Sequence, residues 1–385
     1  MSVIELTQKL VEIPSYVDGE CDEHRLMKFI EAYVQKNTQL TTYRQHVENN
    51  RYNLIVHDNH PAKLIFFCHM DTVLPSSGWK HDMFGGKISE KKLYGLGAVD
   101  MKGGLACALY AATHVKDTQG LHLVFDVDEE YYFKGIQKYI AQNNPPAQLA
   151  IFPEPGMKIR NGHRGVIEIY FRMHGSAGHA SRPHEGKNAI TGLAQAVTYI
   201  ENKLCDYSHP SLGKSTCNLS FLHGGSNPGK QDNPYILVDK CANKIPDIAE
   251  AILDIRPAQE TVNGKFIVEL LQEFANDHGY GLSNIEIRLD YGSFHIEKEQ
   301  LHDFANIIAR HVKGDIFADA KKFGYGEGQL VHEMLGIPCA YFGPGPTHKA
   351  HEIDEYVETD ELVTVEKIFR DTITDYCGGE KIEIV

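Results

Sequence analysis

The sequence predicts an α/β domain interrupted by a smaller inserted α+β domain of ferredoxin-like order. Three observations predict it. Short apolar runs between residues 64 and 154 end in histidine or carboxylate side chains. Stretches of helix-like apolar spacing separate those runs. Between residues 165 and 291 the pattern becomes strands and helices in the order βαββαβ.

With 385 residues the chain has room for two domains, since single cores rarely grow beyond about 250–300 residues. Hydrophobic residues are 42% and charged residues 23%, the balance of a globular rather than a disordered or fibrous protein. A net charge of -14 argues against nucleic acid or an anionic membrane as the main partner, because both need a basic surface. No apolar run approaches the ~20 residues of a membrane span. The first ten residues lack a signal-peptide core. Eight cysteines are scattered without a CxxC pair, which favours free thiols in a reducing compartment, so a cytoplasmic location is expected.

Helical spacing covers Glu5 to Ile13 and Asp22 to Lys36. Tyr52 to His57 and Leu64 to Cys68 are expected as paired strands about the turn at Asn59-His60-Pro61. Leu64 to Cys68 is rich in β-formers and runs into His69-Met70-Asp71-Thr72. Residues two apart share a face of a strand, so His69 and Asp71 lie together, a spacing that suits a metal-binding imidazole oriented by a carboxylate. The same alternation turns Cys68 away, into the core. Asp100 precedes Gly103-Gly104 and a helix from Gly103 to His114, whose positive end faces the carboxylate region. Gly95, Gly97 and Asp100 give G-x-G-x-x-D, which lacks the third glycine of a dinucleotide fingerprint.

The strand Leu121 to Phe125 leads to Asp126-Val127-Asp128-Glu129-Glu130, and the strand Leu149 to Ile151 to Pro153-Glu154. Val166 to Met173 alternates as a half-exposed strand. After it come Gly178-His179-Ala180-Ser181, a helix from Asn188 to Lys203, strands at Thr216 to Leu222 and Glu250 to Ile255, a helix from Gly264 to Asp277 and a strand at Asn284 to Leu289. The last buried strand, Ile337 to Phe342, leads through Gly343-Pro344-Gly345 to His351-Glu352-Ile353-Asp354-Glu355. Histidines and carboxylates at several strand ends are what a metal site on the carboxyl edge of an α/β sheet requires. Each alone has a blander reading: Glu129-Glu130 as a solvated acidic loop, His351 as a surface histidine, His179 as a structural loop residue.

Taken together, the motifs resemble the M20 family of metallopeptidases and deacylases, with every ligand position of the family filled in order. Tyr94-Gly95-Leu96-Gly97, Asp254-Ile255-Arg256-Pro257, Gly343-Pro344-Gly345 and His351 to Tyr356 look closest to its acetylornithine deacetylases. The resemblance implies a zinc-peptidase-like catalytic domain with a central mixed sheet, in segments 1–164 and 292–385. It makes the insert, 165–291, a dimerisation domain that closes as a lid over the site of a homodimer. It also implies two zinc ions per chain, replaceable by cobalt or manganese. His69 and Glu154 would hold one, Glu130 and His351 the other, with Asp100 between them. If Glu130 binds metal, Glu129 points away from it and serves as general acid/base. By the same resemblance His179 acts on the oxyanion in the partner subunit's site, Arg256 binds the substrate carboxylate, and Asn243 shares substrate contacts with His179. Glu327, in a glycine-flanked stretch where many relatives carry a Gly-Thr-Ser-Asp segment, would pair with a substrate ammonium. The implied reaction is hydrolysis of an N-acyl amino acid, with N-acetyl-L-ornithine, giving ornithine and acetate, as the leading substrate. A dipeptidase, a carboxypeptidase, a desuccinylase and a catalytically inactive binding protein are the alternatives.

Overall fold

The computed structural model describes residues 1–378 apart from 228, 230–237 and 240, so the end of the expected second catalytic segment, 379–385, lies outside the described residues. The chain forms two compact units. One comprises Met1–Asn161, Ile296–Ala318 and Gly326–Val385, the other Gly162–His295 and Asp319–Tyr325.

The first unit is built on a seven-stranded sheet. Its strands are β1 (Thr41–Glu48), β2 (Arg51–His57), β3 (Leu64–His69), β4 (Leu121–Asp126), β5 (Leu149–Phe152), β6 (Gly156–Arg160) and β7 (Cys339–Gly343), in the order β1-β2-β4-β3-β5-β7-β6. β3 pairs in parallel with β4 and β5, and β7 in parallel with β5, while β1, β2 and β6 run antiparallel to their neighbours. The sheet is therefore mixed. The expected pairing of β2 with β3 is not found: β4 lies between them. The short Asn59-His60-Pro61 connection crosses over a neighbouring strand instead of forming a hairpin.

Every residue of β3 is buried, because helices cover both faces. Adjacent residues show the two faces directly. Phe66 packs on Phe369 of the helix α5 (Thr359–Cys377), and Phe67 on Tyr139 of α3 (Lys134–Gln142). The helices α1 (Val3–Val11) and α2 (Gly103–Ala112) join α5, and α4 (Gly328–Leu335) joins α3. Local sequence sets their ends: Ser2 and Glu5 form a reciprocal capping box at the start of α1.

The second unit holds a four-stranded antiparallel sheet in the order Thr216–Gly225, Ile248–Arg256, Val166–His174, Gly281–Tyr291. The helices Ala189–Leu204 and Gly264–His278 bury their apolar stripes against Ile167, Ile169, Phe171 and Met173. This is the ferredoxin-like strand order. Val166–His174 is buried on both faces rather than half-exposed. On its polar face the Tyr170 hydroxyl and Arg172 Nε both donate to Glu250, and this network covers the strand. The unit begins and ends slightly outside the expected 165 and 291 because Gly162–His163 pairs with Phe294–His295. It also takes in Asp319–Tyr325, where Ala320 packs with Leu212 and Ala258.

One glycine fixes how closely α2 approaches the end of β5. A Cβ on Gly104 would sit 1.8 Å from the Pro153 carbonyl oxygen, which no side-chain rotation relieves. Gly104→Ala is therefore expected to destabilise the protein by about 1–3 kcal/mol in a denaturant titration, as overpacking does. An unchanged midpoint would show that the two segments are free to part.

Candidate metal centre

Buried strands bring the donors to the carboxyl edge of the sheet. β3 ends in His69, which is 2% exposed, and Asp71 follows at 1%. The turn after β4 carries Glu129 and Glu130, and Glu154 follows β5 after Pro153. Asp100 lies in the tight turn Ala98–Lys102 that leads into α2, and its peptide bond to Met101 is cis. His351 is on the loop after β7, with a positive φ of 64°.

His69 Nε2 lies 3.2 Å from Asp100 Oδ1 and 3.4 Å from Glu154 Oε1. His351 Nε2 lies 3.3 Å from Asp100 Oδ2 and 3.0 Å from Glu130 Oε2. The two oxygens of one carboxylate thus face two different imidazoles. The donors form the groups His69–Asp100–Glu154 and Asp100–Glu130–His351, each with donor atoms within 4.8 Å of one another, and the groups share Asp100. A third group, His69–Glu129–Glu130, corrects an expectation. Glu129 and Glu130 lie in a turn, where strand alternation does not apply, so Glu129 stays beside the ligand positions.

The electrostatics fit a site built for cations. Burial pushes Glu154 up, aided by the charge of Asp100, and burial pushes Glu129 well above the usual carboxylate range. Burial also raises Glu130 to about 7. Burial would raise Asp100 too, but hydrogen bonds from His351 and His69 outweigh it and hold it low. His351, bonded to Asp100 and Glu130, is pushed up to about 11. The donor set combines two imidazoles with several carboxylates. That mixture is suited to zinc, cobalt or manganese.

The supporting shell differs from the expected one. His69 Nδ1 lies 3.1 Å from the Asp71 main-chain carbonyl and 3.7 Å from its carboxylate. That carboxylate instead accepts the N–H groups of Glu129 and Glu130 at 3.2 and 3.1 Å. Asp71 therefore fixes the turn that carries both glutamates, and its backbone orients the imidazole. Glu355, to which the sequence assigned no role, does the same for Asp100. Buried at 1%, it accepts the N–H groups of Gly97, Val99 and Asp100 at 2.8–3.1 Å. Burial and the charge of Asp100 raise it to about 8. Arg51 was missed as well: it pairs with Glu23, Glu48 and Asp128 and anchors the start of the glutamate turn. The one visible signal for these residues is an ionisable side chain inside a strand or acidic run, which does not separate a buried clamp from a solvated charge.

Glu327 is not in an open, adaptable loop. It is 3% exposed at the start of α4, and burial together with the Asp126 carboxylate pushes it well above the usual range. In the second unit, Arg256 donates from Nε and one terminal nitrogen to Asp254 at 2.7 and 2.8 Å, so half of its fork is already engaged. His179 is exposed, with Nδ1 2.8 Å from Ser181 Oγ, and the segment beside it is tied to Asn243 through Ala180 N–H.

A carboxyl edge that gathers two overlapping ligand sets around one shared aspartate defines a metallohydrolase. The chain belongs to peptidase family M20/M25/M40, whose model matches residues 65–375. It is 27% identical to an acetylornithine deacetylase of Edwardsiella ictaluri, over 98% of each chain. It is 24% identical to a succinyl-diaminopimelate desuccinylase of Aliarcobacter butzleri, over 98% of this chain and all of the relative. Among solved structures, an M20 family metallo-carboxypeptidase of Sulfolobus solfataricus matches with a TM-score of 0.75 at 16% identity, covering 98% of this chain and 99% of that one.

Ligation requires His351 neutral and Glu130 ionised, whereas hydrogen bonds to Asp100 and Glu130 raise His351 to about 11 and burial raises Glu130 to about 7. Metal binding must therefore release protons, and affinity should strengthen as pH rises from 6 towards 8. Calorimetry in two buffers of different protonation enthalpy should show at least one proton released per chain at pH 7. Identical heats in the two buffers would contradict the site.

Proposed function

We propose that the protein is a two-zinc deacylase that hydrolyses the amide of an N-acyl amino acid. The observation that carries this reading is the pair of ligand sets meeting at Asp100 with the Glu129 carboxyl beside them. N-acetyl-L-ornithine is the first substrate to test, on the strength of the motif likeness and of the relative named acetylornithine deacetylase.

His69, Asp100 and Glu154 would hold one ion and Asp100, Glu130 and His351 the other. When bound, such a pair lowers the pKa of water and polarises the amide carbonyl. Glu129 takes the proton from the attacking water and hands it to the leaving nitrogen. Its raised affinity for a proton is the direction that a carboxyl working near neutral pH needs. Asp71 keeps Glu129 and Glu130 at a fixed spacing by gripping consecutive main-chain amides. His179, exposed on the second unit, would donate to the oxyanion across a homodimer, Arg256 would take the α-carboxylate, and Asn243 would share substrate contacts with His179. These three roles rest on the family resemblance.

Glu129→Gln should keep both ions by elemental analysis and lose about 10²–10⁴-fold in kcat, as removal of a general acid/base does. Near-normal turnover would remove Glu129 from the mechanism. Mixing that variant with His179→Ala, under conditions where subunit exchange is verified, should regenerate activity from composite sites. Verified mixed dimers without activity would confine His179 to a structural role.

A further inference from the structure

The two ligand sets differ in one surrounding charge. Glu154 turns Oε1 to His69 Nε2 at 3.4 Å, and its other oxygen, Oε2, lies 4.0 Å from Arg160 Nη2. Arg160 ends β6, directly across the strand pair from Tyr341 of β7. Its guanidinium lies over the Tyr341 ring, 4.8 Å from the centroid. That ring is itself fixed. It is 4% exposed, packs on Phe152 with centroids 5.0 Å apart, and its hydroxyl accepts the Gly328 N–H at 2.7 Å. A guanidinium seated on a pinned aromatic face keeps its charge in one place. The Arg160 side chain is 16% exposed and that of Glu154 14%, so water and salt screen the pair little. Among the described residues no lysine or arginine pairs with Glu130, the corresponding carboxylate of the other set.

A carboxylate grips a divalent ion through its negative charge, and a fixed cation at its far oxygen opposes that ion. One oxygen of Glu154 serves the ligand set and the other serves the guanidinium, so Arg160 reaches the centre through this one residue. Resting on the two-metal reading, we propose that Arg160 is a positioning residue acting through Glu154. Its charge holds down the affinity of the His69–Asp100–Glu154 set for its ion and leaves the Asp100–Glu130–His351 set alone. A purely structural arginine would do the opposite, since losing it would free Glu154 to move and weaken binding.

Cobalt(II) alone is the probe, titrated at pH 8 to limit competition from protons, into variants whose thermal melting matches their parent. His351→Ala leaves the His69–Asp100–Glu154 set as the complete one, and Glu154→Gln leaves the other. In the His351→Ala background, Arg160→Met should tighten cobalt binding at least about tenfold, the order expected when one unit charge leaves a partly buried site. Arg160→Gln should do the same and serves in its place if the methionine variant fails to fold. Arg160→Lys keeps the charge and should stay closer to its parent than either neutral variant. In the Glu154→Gln background, Arg160→Met should change the affinity by less than about threefold, because the remaining set lies beyond the guanidinium's close reach. Weaker or unchanged binding in the first background overturns the inference. Equal tightening in both backgrounds also overturns it, because the charge would then not act through Glu154. A wild-type chain that never binds a second ion overturns the two-metal reading itself, whereas two ions in the wild type without tightening on loss of Arg160 remove this inference alone.

Discussion

Carboxylates gathered around two imidazoles repel one another, and much of this fold serves to hold them in place. Like charges 4 Å apart cost about 1 kcal/mol in water and several times that near a protein surface. Another layer of cations beneath the site would compete with the metals for the same donors. The protein relies mainly on neutral main-chain amides. Asp71 grips the amides of Glu129 and Glu130, and Glu355 grips those of Gly97, Val99 and Asp100. Each clamp is a buried acid that positions other acids without adding a mobile charge. One cation, Arg160, reaches Glu154, with Nη2 4.0 Å from Oε2, and others stand further back. Arg51 acts on Asp128, before the glutamates, and Lys102 Nζ donates to the Ile13 carbonyl at 2.8 Å. Burial depresses Lys102 to about 7, so its positive charge beneath Glu355 is weakened.

The clamps work only because the backbone segments approach closely. Gly104 meets the Pro153 carbonyl, and a Cβ on Gly343 would stand 2.4 Å from the same oxygen and 2.6 Å from the Glu154 carbonyl. The segment that carries Glu154 is thus held between two glycines, one from α2 and one from the end of β7. The parallel pairing of β3 with β4 and β5 places His69, the glutamate turn and Glu154 side by side at one edge. Packing, register and charge therefore converge on the same few ångströms.

His69, the Glu129-Glu130 pair and Glu154 were legible in the sequence as candidate donors because each follows an apolar run, and the run itself says where the chain emerges from the core. Asp100 and His351, which lie on loops, were named through the family resemblance. What could not be read was which atom of a residue acts. Asp71 looked like an imidazole partner from its spacing, yet its carboxylate serves the amides of a turn distant in sequence. Glu327 looked accessible because glycines flank it, but the α4 terminus on which it sits is buried against β4 and β7 side chains, among them Tyr341, whose hydroxyl accepts the Gly328 N–H. Strand adjacency failed for a related reason. Local turn residues between β2 and β3 carry no information about the insertion of β4, which comes from much later in the chain.

The account rests on two ions sharing Asp100. Crystals of zinc-reconstituted protein, examined by anomalous scattering at the zinc edge, test that most directly. Two peaks per chain are predicted, one within reach of His69, Asp100 and Glu154 and the other within reach of Asp100, Glu130 and His351. A single peak at full zinc saturation, or a pair that leaves Asp100 without a metal, would contradict it.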